Sequence, residues 1–149
     1  MSNCSDHQER INQFMRLAEQ EIPPHPIVPD EKVRQLRATL ILEEACETIQ
    51  ALGGTVYYNA RNQKLEILMN RTPNLVEIVD GCVDVSVVTI GTLSACGVED
   101  SPILVEVDRA NLRKFGPGSY RREDGKWIKP PDFKAPDIEK ELRLQGWKL

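Results

Sequence analysis

The sequence predicts an all-α protein, a bundle of four to five helices with a small β-hairpin at about 55–69 and an extended C-terminal tail. Apolar residues recur at helical spacing in four long segments. Proline, glycine and capping residues mark where those segments start and stop. No solenoid-length repeat, G-x-G-x-x-G motif or P-loop motif is present. At 149 residues, we expect one domain with its core at about 10–115 and a tail at 116–149.

The first two helices are predicted from apolar spacing and from the residues that end them. Residues 5–21 place four apolar side chains at helical spacing: Ile11, Phe14, Met15 and Ala18. The proline-rich segment 23–29 cannot be helical, because proline lacks a backbone donor and restricts the residue before it. Asp30 is a candidate N-cap for a second helix that ends at about Leu52, before two glycines.

The later elements follow from a change of period and from Ser/Thr-Pro pairs. Residues 55–69 contain two β-favouring runs around a polar turn, which indicates the hairpin. Thr72-Pro73 suits the N-cap and first position of a long helix ending at Gly97. Ser101-Pro102 repeats that pattern for a helix to about Phe115. In the tail, a short strand is expected near 126–128 and a helix after Pro136-Asp137.

Composition predicts a cytoplasmic protein without a nucleic-acid polymer or a membrane as partner. The net charge of −4 disfavours general nucleic-acid binding. Residues 1–13 are polar, unlike a signal peptide. The longest apolar stretch, 85–98, is shorter than the ~20 residues that span a bilayer. The cysteines form no C-x-x-C or zinc pattern, so Cys46, Cys82 and Cys96 are expected to be buried thiols in a reducing compartment.

Small residues in the long helix at 73–96 predict close helix packing and self-association. They are Gly81, Ser86, Gly91, Ser94 and Ala95. A helix this apolar, with acids on one side, is expected to pack on two faces. Because one protomer supplies few elements to cover it, we expect a helical homodimer, with a tetramer as the alternative.

Two acidic motifs interrupt apolar helical faces. An α-helix turns about 100° per residue, so Glu43, Glu44 and Glu47 share one arc of their helix. A second arc holds Glu77, Asp80 and Asp84. Burying several ionised carboxylates together requires compensating cations. All-oxygen ligands suit Mg²⁺, with Mn²⁺ able to substitute, rather than zinc.

The spacing of these acids predicts two ligand pairs on facing helices. Residues three apart lie on one face, ~4.5 Å apart along the axis. Glu44 and Glu47 would come from one helix, and Glu77 and Asp80 from the other. Glu43 remains as a further ligand or as the base for the attacking water. Such a site suits phosphoryl chemistry, since divalent cations neutralise phosphates and polarise phosphorus–oxygen bonds.

Two other interpretations of the acids are weaker. Di-iron bundles use Glu-x-x-His pairs, and this chain has only His7 and His25, neither near an acidic motif. A lone E-E-x-x-E motif would usually be a solvated helix face. The second acidic pair on another apolar helix favours a site instead.

The ordered set of motifs resembles the MazG-like, all-α nucleoside triphosphate pyrophosphohydrolases. These include dimeric dUTPases and phosphoribosyl-ATP pyrophosphatases. The E-E-x-x-E pattern at 43–47 and the E-x-x-D pattern at 77–80 carry the resemblance. Residues 80–98, 105–115 and 125–138 extend it, towards the phage and Deinococcus-type branch. Asp108, where relatives often have histidine, and the β-like segment 57–69 depart from the pattern.

This resemblance implies an enzyme, a hydrolase of phosphorus anhydrides, that acts on a nucleotide. It implies that Glu44, Glu47, Glu77 and Asp80 are Mg²⁺ ligands and that Glu43 assists the metal or the water. It also implies that Asn111 and Lys114 meet the sugar and phosphates of the substrate. Secondary candidates for substrate binding are Arg109, Asp84 and Phe14, although Arg109 could instead pair with Glu106 or Glu77 and Phe14 could belong to the core.

The expected reaction converts a nucleoside triphosphate to the monophosphate and pyrophosphate. The expected cellular role is to clean or adjust the nucleotide pool. A dedicated phosphoribosyl-ATP pyrophosphatase is an alternative with the same chemistry, weakened because the chain lacks the shorter, compact layout of that enzyme. A non-catalytic helical dimer that binds nucleotide or Mg²⁺ for regulation is a third interpretation. The intact acidic set argues against it.

Overall fold

The computed structural model describes residues 3–148, and over that span it contains five α-helices and two β-hairpins. In chain order these are α1 (Asp6–Leu17), α2 (Glu31–Ala51), β1 (Gly54–Asn59), β2 (Lys64–Met69), α3 (Leu75–Ala95), α4 (Asp100–Arg113), β3 (Tyr120–Arg121), β4 (Trp127–Ile128) and α5 (Ile138–Leu144). The predicted all-α class with a β-hairpin is confirmed. The strand expected near 126–128 and the helix expected after Pro136-Asp137 are also present, as β4 and α5.

Helices α2 and α3 form the central pair of the fold and pack along most of their length. Thr48 lies against Gly81, and Arg37 lies against Gly91. The contacts therefore run in opposite directions along the two helices, which makes the pair antiparallel. The antiparallel hairpin β1–β2 joins them, with Gly54 opposite Met69 and Asn59 opposite Lys64.

Side-chain caps set where the first three helices begin. Ser5 accepts a hydrogen bond from the Gln8 amide, 3.1 Å away. Asp30 caps α2 as predicted, accepting from the Val33 amide at 2.9 Å. The prediction that Thr72 caps α3 is wrong, because the side chain of Asn74 accepts from the Val76 amide at 3.0 Å and helix α3 starts only at Leu75.

The fourth helix also differs slightly from its prediction. It begins at Asp100, and Glu99 at the N-cap makes no side-chain capping bond. Pro102 therefore lies within the first turn rather than opening the helix, a place where its missing N–H has no intrahelical partner to lose. The helix ends at Arg113, two residues before the predicted end.

A small apolar core lies where α1 crosses the second half of α3. Its buried members are Ile11, Met15 and Ala95, with Ile22, Val33, Val87 and Ile90 packed around them. The assignment of Phe14 to the core is wrong, because its side chain is 63% exposed. Phe14 lies three residues after Ile11, at helical spacing, but the buried face of α1 consists of Gln8, Ile11, Asn12 and Met15.

A buried polar cluster ties α1 to the turn between α3 and α4. The side-chain amide of Gln8 donates, through its nitrogen, to the Ser94 hydroxyl at 3.0 Å and to the Val98 carbonyl at 2.8 Å. Its oxygen accepts from the Asp100 amide at 2.8 Å. The Asp100 carboxylate accepts in turn from the Ser5 amide at 2.7 Å. Because each buried group has a partner, the cluster stabilises this junction.

The C-terminal tail folds back onto the helices. The Trp127 ring packs against Phe115, with centroids 5.1 Å apart, and its N–H donates to the Lys114 carbonyl at 3.0 Å. The side-chain amide of Gln145 makes two hydrogen bonds with the backbone of Glu99: its oxygen accepts from the Glu99 N–H at 2.8 Å, and its nitrogen donates to the Glu99 carbonyl at 3.1 Å.

Among the cysteines expected to be buried, Cys46 and Cys96 are half-buried, but Cys82 is exposed.

Helix α3 is longer than the apolar stretch identified in the sequence. Among the described helices it alone is long and apolar enough to cross a membrane by length and composition, with 21 residues and a mean hydropathy of 1.5. It also carries the carboxylates of Glu77, Asp80 and Asp84, which would be costly in a bilayer. It packs against α2 and α1. The absence of a membrane partner stays a prediction.

Candidate functional site

A cavity of about 490 Å³ lies between the end of α2 and the start of α3, and both acidic motifs contribute to it. Its lining comes from α2, from the segment after β2 and from α3, namely Glu47, Gln50, Ala51, Arg71, Thr72, Glu77, Asp80, Gly81 and Asp84. The antiparallel packing of α2 and α3 is what brings E-x-x-E and E-x-x-D to one place.

Close contact between α2 and α3 sets the width of this cavity. A Cβ atom built on Gly81 would lie 2.6 Å from the Thr48 hydroxyl oxygen and 3.1 Å from the Thr48 Cα. The Thr48 hydroxyl is turned back to donate to the Glu44 carbonyl at 2.7 Å. Since Glu47 and Asp80 are the neighbours of Thr48 and Gly81 in sequence, this contact holds the two motifs side by side.

Glu44 is half-buried, and its electrostatic surroundings are negative. Burial raises the pKa of Glu44 above its ordinary value. Nearby negative charges raise that pKa further, in decreasing order Asp84, Glu47, Glu43 and Asp80. Asp84, one turn beyond the E-x-x-D motif, is therefore the carboxylate that acts most strongly on Glu44. Protein without a cation carries uncompensated repulsion here.

The remaining acids are less buried than their apolar helical faces suggested. Glu43, Glu47, Glu77 and Asp80 are exposed, and Asp84 is half-buried. The sides of α2 and α3 that carry these acids face open solvent at the cavity and do not continue into the core. The expectation that all the acids interrupt buried surface is therefore wrong for these four residues.

The donor set fits a hard divalent cation in its chemistry. The cavity offers carboxylate oxygens from two helices and no imidazole or thiolate, which suits Mg²⁺. Within residues 3–148, no three His, Cys, Asp or Glu side chains are arranged as ligands of one ion. A cation would have to draw the carboxylates together, and the exposed side chains of Glu47, Glu77 and Asp80 have the freedom to move.

The predicted substrate-binding residues of α1 and α4 do not line this cavity. Lys114 donates to the Asn111 amide oxygen at 2.7 Å, at the far end of α4. Arg109 is exposed and pairs with neither Glu106 nor Glu77 in the described structure; Arg113 pairs with Glu106 instead, at 3.1 Å. Phe14 lies on the outer face of α1. Asp84 is the one secondary candidate that the fold brings to the acids.

Sequence reasoning missed two polar residues of the cavity, Gln50 and Arg71. The Arg71 guanidinium donates to the Gln50 amide oxygen at 3.2 Å. Gln50 lies three residues after Glu47, on the same face of α2, and that spacing could have identified it. Arg71 follows the hairpin, and only the pairing of β1 with β2 returns it to the end of α2.

Two other cavities, of about 540 and 440 Å³, run along α1. They share Cys4, Asn12 and Arg16 in their linings. The larger one mixes acidic and basic side chains of α1, and neither receives carboxylates from two facing helices. The acidic cavity between α2 and α3, which is intermediate between them in volume, is therefore the candidate site.

The antiparallel pair of α2 and α3 thus presents an E-x-x-E motif opposite an E-x-x-D motif. The family model of phosphoribosyl-ATP pyrophosphohydrolase matches residues 11–111. That span is more than half of the 149 residues and contains both acidic motifs, so the chain belongs to this family, within the MazG-like superfamily. No curated protein matches the chain closely enough to count as a relative.

Family membership makes the protein a pyrophosphohydrolase, a hydrolase of phosphorus anhydrides. The matched span includes the second half of α1, all of α2 and α3 and most of α4, with Asn111 as its last residue. Lys114 and the tail lie outside it, so the resemblance noted for residues 112–138 rests on the sequence motifs alone.

Proposed function

We propose that the protein is a Mg²⁺-dependent nucleoside triphosphate pyrophosphohydrolase. It would cleave ribo- or deoxyribonucleoside triphosphates between the α and β phosphates and release the monophosphate and pyrophosphate. The observation that supports this most is the cavity that α2 and α3 line with both acidic motifs. Housekeeping of the cytoplasmic nucleotide pool is the role that suits the reaction.

Four carboxylates would hold the cation: Glu44, Glu47, Glu77 and Asp80. Bound Mg²⁺, or Mn²⁺ in its place, would neutralise the phosphates and polarise their phosphorus–oxygen bonds. Asp84 would add a fifth negative charge opposite Glu44. The distribution of charge supports this, because Glu44 is half-buried and four neighbouring carboxylates raise its pKa.

Glu43 would orient the attacking water and accept its proton. In that step a bond forms between the water oxygen and phosphorus, and the bridging oxygen leaves with the pyrophosphate. Glu43 is exposed on α2 next to Glu44 and does not line the cavity. Glu43 thus lies beside the carboxylates that line the cavity and not among them, which leaves it available to act on a water at the edge of the site.

Phosphoribosyl-ATP is the second candidate substrate, and the family match favours it. The matching model carries that substrate in its description. The bond broken is again the anhydride between the α and β phosphates, so the same carboxylates would serve. The two enzymes would differ only in the residues that contact the base and the sugar of the substrate.

We propose a homodimer, with a tetramer as the alternative, because the single chain exposes far more surface than its mass requires. The accessible surface is 10,991 Å². A compact protein of 16.9 kDa exposes about 7,700 Å². The excess of about 3,300 Å² per chain, or about 6,600 Å² for a pair of chains, is at the upper end of what obligate interfaces bury. Much of it is apolar and includes Leu75, Val76, Val79 and Val83 of α3.

A second copy of the chain could also supply the predicted substrate-binding residues that do not line the cavity. Asn111, Lys114 and Arg109 do not line the acidic cavity of their own chain. Their proposed contacts with the sugar and phosphates need a partner chain, or a movement of α4, to reach a substrate. Sedimentation equilibrium at several protein concentrations would give the oligomeric state.

The activity is tested with a panel of nucleoside triphosphates, deoxynucleoside triphosphates and phosphoribosyl-ATP. Each is incubated with the protein in Mg²⁺ or in a chelator, and the products are separated by anion exchange. We expect a monophosphate and pyrophosphate in the samples with Mg²⁺ and neither product in the samples with chelator. Preference for phosphoribosyl-ATP over every triphosphate would favour the second candidate.

A further inference from the structure

Arg71 is the one cationic residue among those that line the acidic cavity. It lies directly after β2, where the chain crosses from the hairpin to α3. Four carboxylates share the lining with it, those of Glu47, Glu77, Asp80 and Asp84. A guanidinium in such surroundings either pairs with the acids or binds another anion.

The fold holds the backbone of Arg71 in place. Its amide donates to the Gly53 carbonyl at 3.0 Å. Gly53 has φ +96°, and a Cβ atom there would lie 2.7 Å from the Arg71 carbonyl oxygen. Only glycine fits this turn without strain. Arg71 is thus anchored to the end of α2 and not left on a free loop.

The side chain of Arg71 is directed by a neutral group. Its Nη1 donates to the Gln50 amide oxygen at 3.2 Å. Within residues 3–148, no carboxylate lies within ion-pair distance of it. An arginine has five N–H donors, and one of them is used here. The remaining donors are available to a planar, multiply charged acceptor such as phosphate.

Charge balance explains why a phosphate substrate would need this arginine. A triphosphate brings about four negative charges to a cavity whose four lining carboxylates already use the whole charge of two divalent cations, so the phosphates arrive as an excess of negative charge. A fixed cation beside the acids reduces that excess without occupying a metal ligand. Holding it on Gln50 keeps it from pairing with the acids.

We propose that Arg71, positioned by Gln50, binds the phosphate chain of the substrate at the mouth of the acidic cavity. The proposal rests on the proposed function, in that the ligand is a polyphosphate. Arg71 is the phosphate-binding residue and Gln50 is a positioning residue, because Gln50 acts through the guanidinium.

The test measures binding instead of turnover, with inorganic triphosphate as the probe. Calorimetry follows its binding to the full-length protein in saturating Mg²⁺. Arg71→Gln should weaken binding by about 10- to 100-fold, the range for a lost charge-assisted hydrogen bond. Arg71→Lys keeps the charge without the planar fork, so its loss should be smaller.

Controls separate phosphate binding from damage to the site. Arg61→Gln, in the turn of the same hairpin and outside the cavity, should bind inorganic triphosphate like the wild type. Mg²⁺ binding to Arg71→Gln without triphosphate should be as tight as wild type or tighter, since a repelling cation is gone. Gln50→Ala should weaken triphosphate binding a few-fold, and this loss should disappear in an Arg71→Gln background.

Equal triphosphate affinity in wild type and Arg71→Gln would overturn the proposal, as would a parallel loss of Mg²⁺ binding. A wild type that binds no inorganic triphosphate would overturn it as well. If the wild type binds the probe but hydrolyses no nucleotide, the proposed function fails while the Arg71→Gln comparison still decides the role of Arg71. If nucleotides are hydrolysed and Arg71→Gln binds normally, only the Arg71 proposal fails.

Discussion

Gly81 of α3 packs against Thr48 of α2 so closely that a Cβ atom at position 81 would lie 2.6 Å from the threonine hydroxyl oxygen. The contact falls beside Glu47 on one helix and Asp80 on the other. A small residue in the middle of α3 is therefore what lets the two acidic motifs share a cavity. The packing of the helices and the geometry of the site depend on the same pair of residues.

Gly81→Ala should destabilise the fold and impair the site. In an ordinary helix interior alanine is more stable than glycine by about 0.5–1 kcal/mol. Here the added methyl group must push Thr48 away, at a cost of ~1–3 kcal/mol. Urea unfolding followed by circular dichroism gives the free energy of unfolding, and pyrophosphate release gives the activity.

Gly116→Ala is the matched control for that substitution. A Cβ atom at Gly116 would meet its nearest neighbour at 3.4 Å, an ordinary contact. This variant should unfold and turn over like the wild type. A Gly81→Ala protein that is more stable than the wild type and fully active would show that α2 and α3 do not approach as closely as described.

Removal of the Glu44 charge should stabilise the protein in the absence of divalent cations. The pKa of Glu44 is raised in the fold, so the native state binds more protons than the unfolded state between the two pKa values. The free energy of unfolding therefore falls as pH rises through that window, which begins near the ordinary pKa of a glutamate and extends upward. Glu44→Gln should lack this decline.

The measurement is the difference in melting temperature between Glu44→Gln and wild type across pH 4 to 8, in a chelator. A difference is needed because hydrogen bonds lower the pKa values of Glu66, Glu106 and Asp124, which makes stability rise with pH. Glu21→Gln, an exposed position outside the cavity, serves as control. A difference that does not grow with pH would contradict the charge assignment.

Millimolar Mg²⁺ or Mn²⁺ should raise the melting temperature of the wild type at neutral pH. A cation that binds only the native state stabilises it by mass action, and here it also relieves repulsion among the carboxylates. Glu44→Gln should gain less from the cation. A melting temperature indifferent to both cations would argue strongly against a metal site in the cavity.

Glu43→Gln should lower kcat strongly and change substrate affinity less. If Glu43 accepts the proton of the attacking water, its function operates in the transition state. The comparison needs steady-state kinetics and a separate titration of Mg²⁺ binding. Loss of Mg²⁺ binding equal to that of Glu47→Gln would make Glu43 a ligand and not the base.

Local sequence signals predicted the helices well, because apolar spacing and caps such as Asp30 are local. The errors arose where two local signals competed. Thr72-Pro73 resembled a helix start, but the Asn74 side chain accepts the free amides of α3. Phe14 lies at helical spacing from Ile11, yet the buried face of α1 includes Gln8 and leaves Phe14 exposed.

The site was predictable only as far as it depends on spacing within one helix. Each acidic pair could be identified from its own helix. The strong effect of Asp84 on Glu44 depends on how far α2 is shifted along α3, which no local pattern reports. Arg71 reaches the cavity through the pairing of β1 with β2. The roles of Asn111 and Lys114 stay predictions, since neither residue lines the acidic cavity.

The central claim is that the carboxylates of α2 and α3 carry out Mg²⁺-dependent release of pyrophosphate. The most direct measurement compares pyrophosphate and orthophosphate release by the wild type, Glu47→Gln and Asp80→Asn over the nucleotide panel in saturating Mg²⁺. Both variants keep side-chain shape but lose a negative charge, and circular dichroism should show unchanged helix. We predict pyrophosphate from the wild type and a loss of more than about 100-fold in both variants. Near-wild-type turnover by either variant, or orthophosphate as the product, would contradict the account.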